Sequence, residues 1–133
     1  MIKKGFTLIE LLVVIAIIGL LTTLSVVSFN NAREKSRNTK RLTDVKRIQI
    51  ALESYYDYSG VYPSELGYSI IAYPARITFL SLVPSAPTPP DGSCTEINNV
   101  YTYKTDSLKQ TYELTYCLSG ANGGPKTVKS ADN

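Results

Sequence analysis

The chain has 133 residues, room for one ordinary domain and not two. Hydrophobic residues make up 44% and charged residues 19%, a composition that excludes an intrinsically disordered chain. There is no histidine, which excludes histidine-based acid–base and metal chemistry, and a net charge of +3 is too mild to demand a nucleic-acid partner.

The apolar residues are unevenly spread. Residues 11–32 carry no charge over 22 positions, and all the charge lies in the rest of the chain. As a helix this run spans about 33 Å, enough to cross a hydrocarbon core of about 30 Å. A cleaved secretory signal, a plain membrane anchor and a more specialised segment all fit that length. A secretory signal needs a small-residue cleavage site, and the run ends instead in Thr22, Thr23, Leu24, Ser25, Val26 and Val27. Two details favour the specialised segment. Gly5 and Phe6 separate a short basic head, Lys3 and Lys4, from the apolar run, and Glu10 sits at the start of that run. Charged groups at the centre of a membrane helix cost about 2.5–3.5 kcal/mol on insertion scales, so an acid here calls for a function and a partner.

The stretch Lys3-Lys4-Gly5-Phe6-Thr7-Leu8-Ile9-Glu10-Leu11-Leu12-Val13-Val14-Ile15 resembles the class III signal of type IV pilins and type II secretion pseudopilins. The resemblance covers the first 30 residues closely and the whole chain in outline. It implies that a prepilin peptidase removes a leader of residues 1–5, cutting between Gly5 and Phe6, and that the new Phe6 amine is methylated. It also implies a single-pass segment, residues 6–32, in the inner membrane before assembly, with the C-terminal part outside the cytoplasm. An inner-membrane assembly platform then builds a homo-oligomeric filament, extracellular or periplasmic, from subunits first held in membrane lipid. The chemistry of the residues agrees. Glycine lets a protease approach an extended backbone, a free amine carries charge with an ordinary pKa near ~8, and Glu10 lies about one helical turn beyond Phe6. Glu10 of one subunit is therefore expected to pair with the Phe6 amine of another as a mark of register. Where the family often carries a proline eight residues beyond a glycine in this helix, Gly19 is here followed by Val27.

No proline lies between Phe6 and Tyr62, so one helix is expected to run from Phe6 to about Tyr58. Beyond the apolar run it becomes amphipathic. Leu42, Val45, Ile48, Leu52 and Tyr55 are spaced for one buried face. Arg33, Lys35, Arg37, Lys40, Arg41, Lys46 and Arg47, against Glu34 and Asp44, are expected on a charged face. These bases follow the apolar run, so the positive-inside rule taken alone would keep the C-terminal part in the cytoplasm. The leader motif and the cysteines outweigh it. The basic stripe also raises DNA binding, as in a competence pilin, although a solvated or intersubunit helix face explains it equally well.

Gly60, Tyr62 and Pro63 end the helix. The junction from Ala51 to Pro63, with Tyr55, Tyr56 and Gly60, looks like that of major pseudopilins. Residues 75–83 read as a short helix or strand lying on the long helix. Pro84, Pro87, Pro89, Pro90 and Asp91-Gly92 make an extended loop. Residues 100–104 and 112–118 alternate as strands around a hairpin loop at 105–111, with Tyr112, Leu114, Tyr116 and Leu118 on one face. The whole reads as an α+β fold: a headgroup at 33–133, made of helix 33–58, loop 59–99, a small antiparallel sheet at 100–118 and a loose tail at 119–133.

The two cysteines, Cys94 and Cys117, lie in the exported part and are expected to form a disulfide. Major pseudopilins bind calcium in a carboxylate-rich C-terminal loop, whereas residues 120–131 contain no Asp or Glu, so neither a calcium site nor any cofactor is expected. With no phosphate-binding glycine loop, nucleophile elbow or carboxylate–histidine pair, an enzyme is not expected either. The missing carboxylate loop and the disulfide lean toward a pilin; the tyrosine junction leans toward a type II secretion pseudopilin.

Overall fold

A computed structural model describes residues 5–130. Its elements are α1 (Leu8–Ser59), β1 (Ile70–Ala72), β2 (Ile77–Leu80), β3 (Thr102–Thr105), β4 (Tyr112–Leu118) and β5 (Gly124–Lys129). The class is α+β, one long N-terminal helix and then small antiparallel sheets, a β1-β2 pair and a three-stranded β3-β4-β5 sheet. The chain divides into two units between Lys35 and Ser36, and α1 enters both.

The first unit is helix from Leu8 onward, unbroken through Gly19. Its described large apolar side chains are exposed, with Leu8 at 81% and Ile15 at 61%. The helix is long and apolar enough to cross a membrane. Its hydroxyls suit that setting, because Thr22 donates to the Ile18 carbonyl at 2.7 Å and Thr23 to the Leu20 carbonyl at 2.8 Å. Both threonines thus find a partner on their own helix, as a hydroxyl in hydrocarbon must.

In the second unit the buried helix face comprises Arg41, Val45, Ile48 and Leu52, with Tyr55 partly buried, in steps of four and three. Val45, Ile48, Ala51 and Leu52 pack with Tyr112, Leu114 and Tyr116 of β4 and with Tyr62 and Ile70. Each fully buried aliphatic side chain contributes roughly 1.5–3 kcal/mol. β4 is central, antiparallel to β3 with Tyr103 opposite Leu114, and to β5 with Thr115 opposite Thr127. α1 stops at Gly60, whose φ of +74° favours glycine and whose N–H reaches the Tyr56 carbonyl at 2.7 Å.

Four expectations are corrected. Leu42, assigned to the buried face, is 47% exposed, and Arg41 occupies that face instead with no exposed surface. Asp44, assigned to the charged face with Arg41, is also buried, because Tyr101 donates its hydroxyl to it at 3.1 Å. Residues 59–99 are not all loop: β1 and β2 form a hairpin there, and β2 brings Phe79 against Tyr55 edge-on at 5.7 Å. The stretch read as a loose tail contains β5, which completes the sheet. The proline-rich segment from Pro84 to Asn99 has no regular element, as expected.

Candidate functional site

The first site is the start of α1. Thr7 precedes the helix, and its carbonyl accepts the Leu11 N–H at 3.3 Å. Its hydroxyl oxygen accepts the Glu10 N–H at 3.3 Å. In return the Glu10 carboxylate accepts, through Oε2, the Thr7 backbone N–H at 2.9 Å and the Thr7 hydroxyl at 2.8 Å. This is a capping box, Thr-x-x-Glu, and it satisfies donors that a helix start otherwise leaves without partners. It also fixes the acid at the positive end of the helix, pointing toward the chain N-terminus. Oε2 does this work alone; Oε1 has no partner among the described residues. Gly5 has open space where a Cβ would stand, and Phe6 is 77% exposed. Lys3 and Lys4, with the rest of residues 1–4, lie outside the described residues.

The second site is a buried polar lock in the headgroup. Arg41 donates from Nη2 to Asp91 Oδ1 at 2.5 Å and to Asn99 Oδ1 at 3.0 Å, and from Nη1 to Asn38 Oδ1 at 3.0 Å. Asn38 in turn donates to the Ser119 carbonyl and accepts the Ser119 N–H, both at 2.9 Å. Asn99 donates to the Pro87 carbonyl at 2.9 Å, and Arg37 donates to the Pro89 carbonyl at 2.8 Å. Charge and amide groups of α1 thus hold the proline-rich loop. Cys94 and Cys117 are disulfide-bonded and join the same loop to the end of β4. Gly92 sits at the joint with φ +54°, and a Cβ there would run into the Ser119 hydroxyl.

A third cluster closes the far end of the helix. Glu53 accepts the Tyr62 hydroxyl at 2.8 Å and the Tyr112 hydroxyl at 3.2 Å. Burial, then the Glu53 hydrogen bond, pushes the Tyr62 pKa well above the usual phenol range. Burial likewise pushes Tyr112 and Tyr103 up to about 12. These tyrosines stay neutral and act as packing and hydrogen-bonding groups.

The prokaryotic N-terminal methylation motif matches residues 1–26. The chain is 37% identical over 62 residues to the type II secretion system core protein G of Pectobacterium carotovorum subsp. carotovorum, covering 47% of this chain and 40% of that one. It is 32% identical over 70 residues to the type IV major pilin protein PilA of Myxococcus xanthus, covering 50% and 32%. It is 34% identical over 64 residues to the fimbrial protein EcpC of Eikenella corrodens, covering 48% and 42%. Over about half its length the chain is similar to type IV pilins and type II secretion pseudopilins. It spans less than half the length of these curated relatives, and no solved structure gives a significant match.

Against that family frame, the structure joins the cysteines as expected and leaves Gly5, Phe6 and Glu10 exposed at one end of the helix. It splits the basic stripe. Arg41 is fully buried and Arg37 is turned to the proline-rich loop, so Arg33, Lys35, Lys40, Lys46 and Arg47 carry the exposed charge. Sequence reasoning missed the capping box, although Thr7-x-x-Glu10 is its signature. It also missed the lock, because an arginine between apolar helix positions reads as surface.

Proposed function

We propose that this chain is a structural subunit of a type IV pilus-like filament, with no catalytic role. A prepilin peptidase cuts between Gly5 and Phe6, the Phe6 amine is methylated, and residues 6–32 hold the subunit in the membrane until an assembly platform draws it into the filament. The carrying observation is the Glu10 carboxylate, held by Thr7 through one oxygen with the other open, at the start of an exposed apolar helix. In a bundle of copies the open oxygen accepts the Phe6 amine of a neighbour, and the capping box keeps the acid aimed at it. Neutralising the acid this way removes the cost of a lone carboxylate in an apolar core. The Cys94–Cys117 staple and the carboxylate-free stretch at 120–131 favour a pilus. The tyrosine junction at residues 56–63 favours the second reading, a type II secretion pseudopilin acting in protein export.

Mass spectrometry of sheared surface filaments tests the processing step. The expected N-terminal peptide begins with methylated Phe6. A peptide retaining residues 1–5, with no filaments, overturns the proposal. Glu10→Leu is expected to be cleaved normally and to assemble poorly; a normal filament yield would remove Glu10 from assembly.

A further inference from the structure

One base of α1 is set apart by its place and its partner. Residues 11–32 are uncharged, and Arg33 is the first base beyond them. It is exposed, and its guanidinium carbon lies 4.3 Å from the ring centroid of Phe29, one helical turn nearer the apolar run. Phe29 is itself 57% exposed. Stacking uses one face of the guanidinium and leaves its N–H donors radiating in the plane. None of them has an acceptor among the described residues, and Glu34, next in the chain, forms no ion pair with Arg33. The other bases of α1 differ. Lys35 is exposed but has no ring beneath it among the described residues. Arg37 is turned to the Pro89 carbonyl, Arg41 is buried against Asp91, and Lys40, Lys46 and Arg47 lie seven residues or more beyond Arg33.

We infer that Arg33, held by Phe29, binds the phosphate of an anionic lipid headgroup at the outward surface of the membrane. Phe29 stands where the apolar run ends, the depth at which aromatic rings lie at a lipid interface. Through that ring the cation is drawn back toward the headgroups, in the direction in which helical side chains lean. A planar guanidinium gives a phosphate parallel hydrogen bonds, which an ammonium cannot. The orientation identifies the same occupant. Bases beyond a span favour retention on the cytoplasmic side, yet the proposed processing sends this end outward. A negatively charged lipid surface supplies the countercharge that such a base needs there. The inference rests on the membrane-held state proposed above and adds the class of lipid that state prefers.

The test uses the full-length chain inserted in vesicles of phosphatidylcholine with a minor share of phosphatidylglycerol. After gentle solubilisation, the lipid that stays bound is quantified by mass spectrometry. Phosphatidylglycerol is expected to be enriched about five-fold over its share in the vesicle. Arg33→Gln and Phe29→Leu are each expected to bring the enrichment down to within about two-fold of the vesicle, the second with no change of charge. Arg33→Lys should fall between, because it keeps the charge and loses the planar fork. Lys40→Gln should leave the enrichment unchanged. Enrichment that survives Arg33→Gln or Phe29→Leu, or that Lys40→Gln abolishes equally, would overturn the site. Displacement of the bound lipid by millimolar inorganic phosphate would assign the donors to a free anion and overturn the lipid reading. If alkaline carbonate extracts the chain from the vesicles, the membrane-held state falls first; if the chain stays inserted and shows no lipid preference, only this site falls.

Discussion

Asp91→Ala probes the lock most directly. Arg41 has no exposed surface, and its strongest contact is the 2.5 Å hydrogen bond to Asp91. Removing the carboxylate strands a buried cation, and breaking a buried pair in this way costs about 3–5 kcal/mol. Asn38 and Asn99 still accept from the guanidinium, and the Asp91 side chain is 17% exposed, so the lower end, about 3 kcal/mol, is expected. The double variant Arg41→Met/Asp91→Ala removes the stranded charge along with its partner and should lose less than the single one, by at least about 1 kcal/mol. The assay is urea unfolding of the detergent-solubilised, disulfide-intact chain, followed by near-ultraviolet dichroism of its tyrosines. A single-variant loss below about 1 kcal/mol, or a double variant worse than Asp91→Ala, would refute the account of Arg41 as a buried cation dependent on Asp91.

Three further outcomes follow from the headgroup. Replacing both Cys94 and Cys117 by serine opens a loop with a sequence separation of 23, and the chain-entropy relation predicts a loss of about 3.5 kcal/mol, read from the urea midpoint. Gly92→Ala meets both a left-handed φ of +54° and the Ser119 hydroxyl, so it should cost about 2 kcal/mol or more, whereas Ser119→Ala in the same background should recover the steric part. Burial holds Tyr112 protonated to about 12 in the fold against 10.0 when unfolded. Its stabilising contribution is therefore complete below pH 10 and is lost as pH climbs from there toward 12. Tyr62, Tyr101 and Tyr103, raised for the same reason, add to the loss in the same window, so unfolding curves at pH 9, 10 and 11 should show stability falling above pH 10, and Tyr112→Phe should reduce that slope without abolishing it.

The elements that local pattern dictates were legible in the sequence. An uninterrupted run without proline gives α1, and alternation gives β3 and β4 around an Asp106 turn, where the carboxylate accepts the N–H groups of Gln110 and Thr111, each at 2.7 Å. What local pattern does not encode was not legible. β5 contains Gly124 and Pro125 and lacks alternation; it is a strand because β4 offers it a free edge. Arg41 took the place read for Leu42 because helix phase depends on where β4 and the proline-rich loop dock, and a cation is tolerated inside only where Asp91, Asn99 and Asn38 converge across long sequence distances. The disulfide was legible from counting, and so was its pinning of the proline-rich loop; that Arg41 holds the same loop was not.

The N-terminal unit raises a different energetic question. Its described leucines, isoleucines and valines are exposed, so in water they would carry a large hydrophobic cost. Lipid removes that cost, and so does a bundle of identical helices. Because a lipid tail is about as apolar as a leucine side chain, moving the helix from one to the other changes the hydrophobic term little. The balance between an anchored subunit and an assembled one therefore falls to the polar groups that differ between the two settings. At the helix start that group is Glu10, half satisfied by Thr7. In the proposed filament that contact recurs at every subunit, so the choice between membrane and filament rests on a polar contact and not on the apolar bulk.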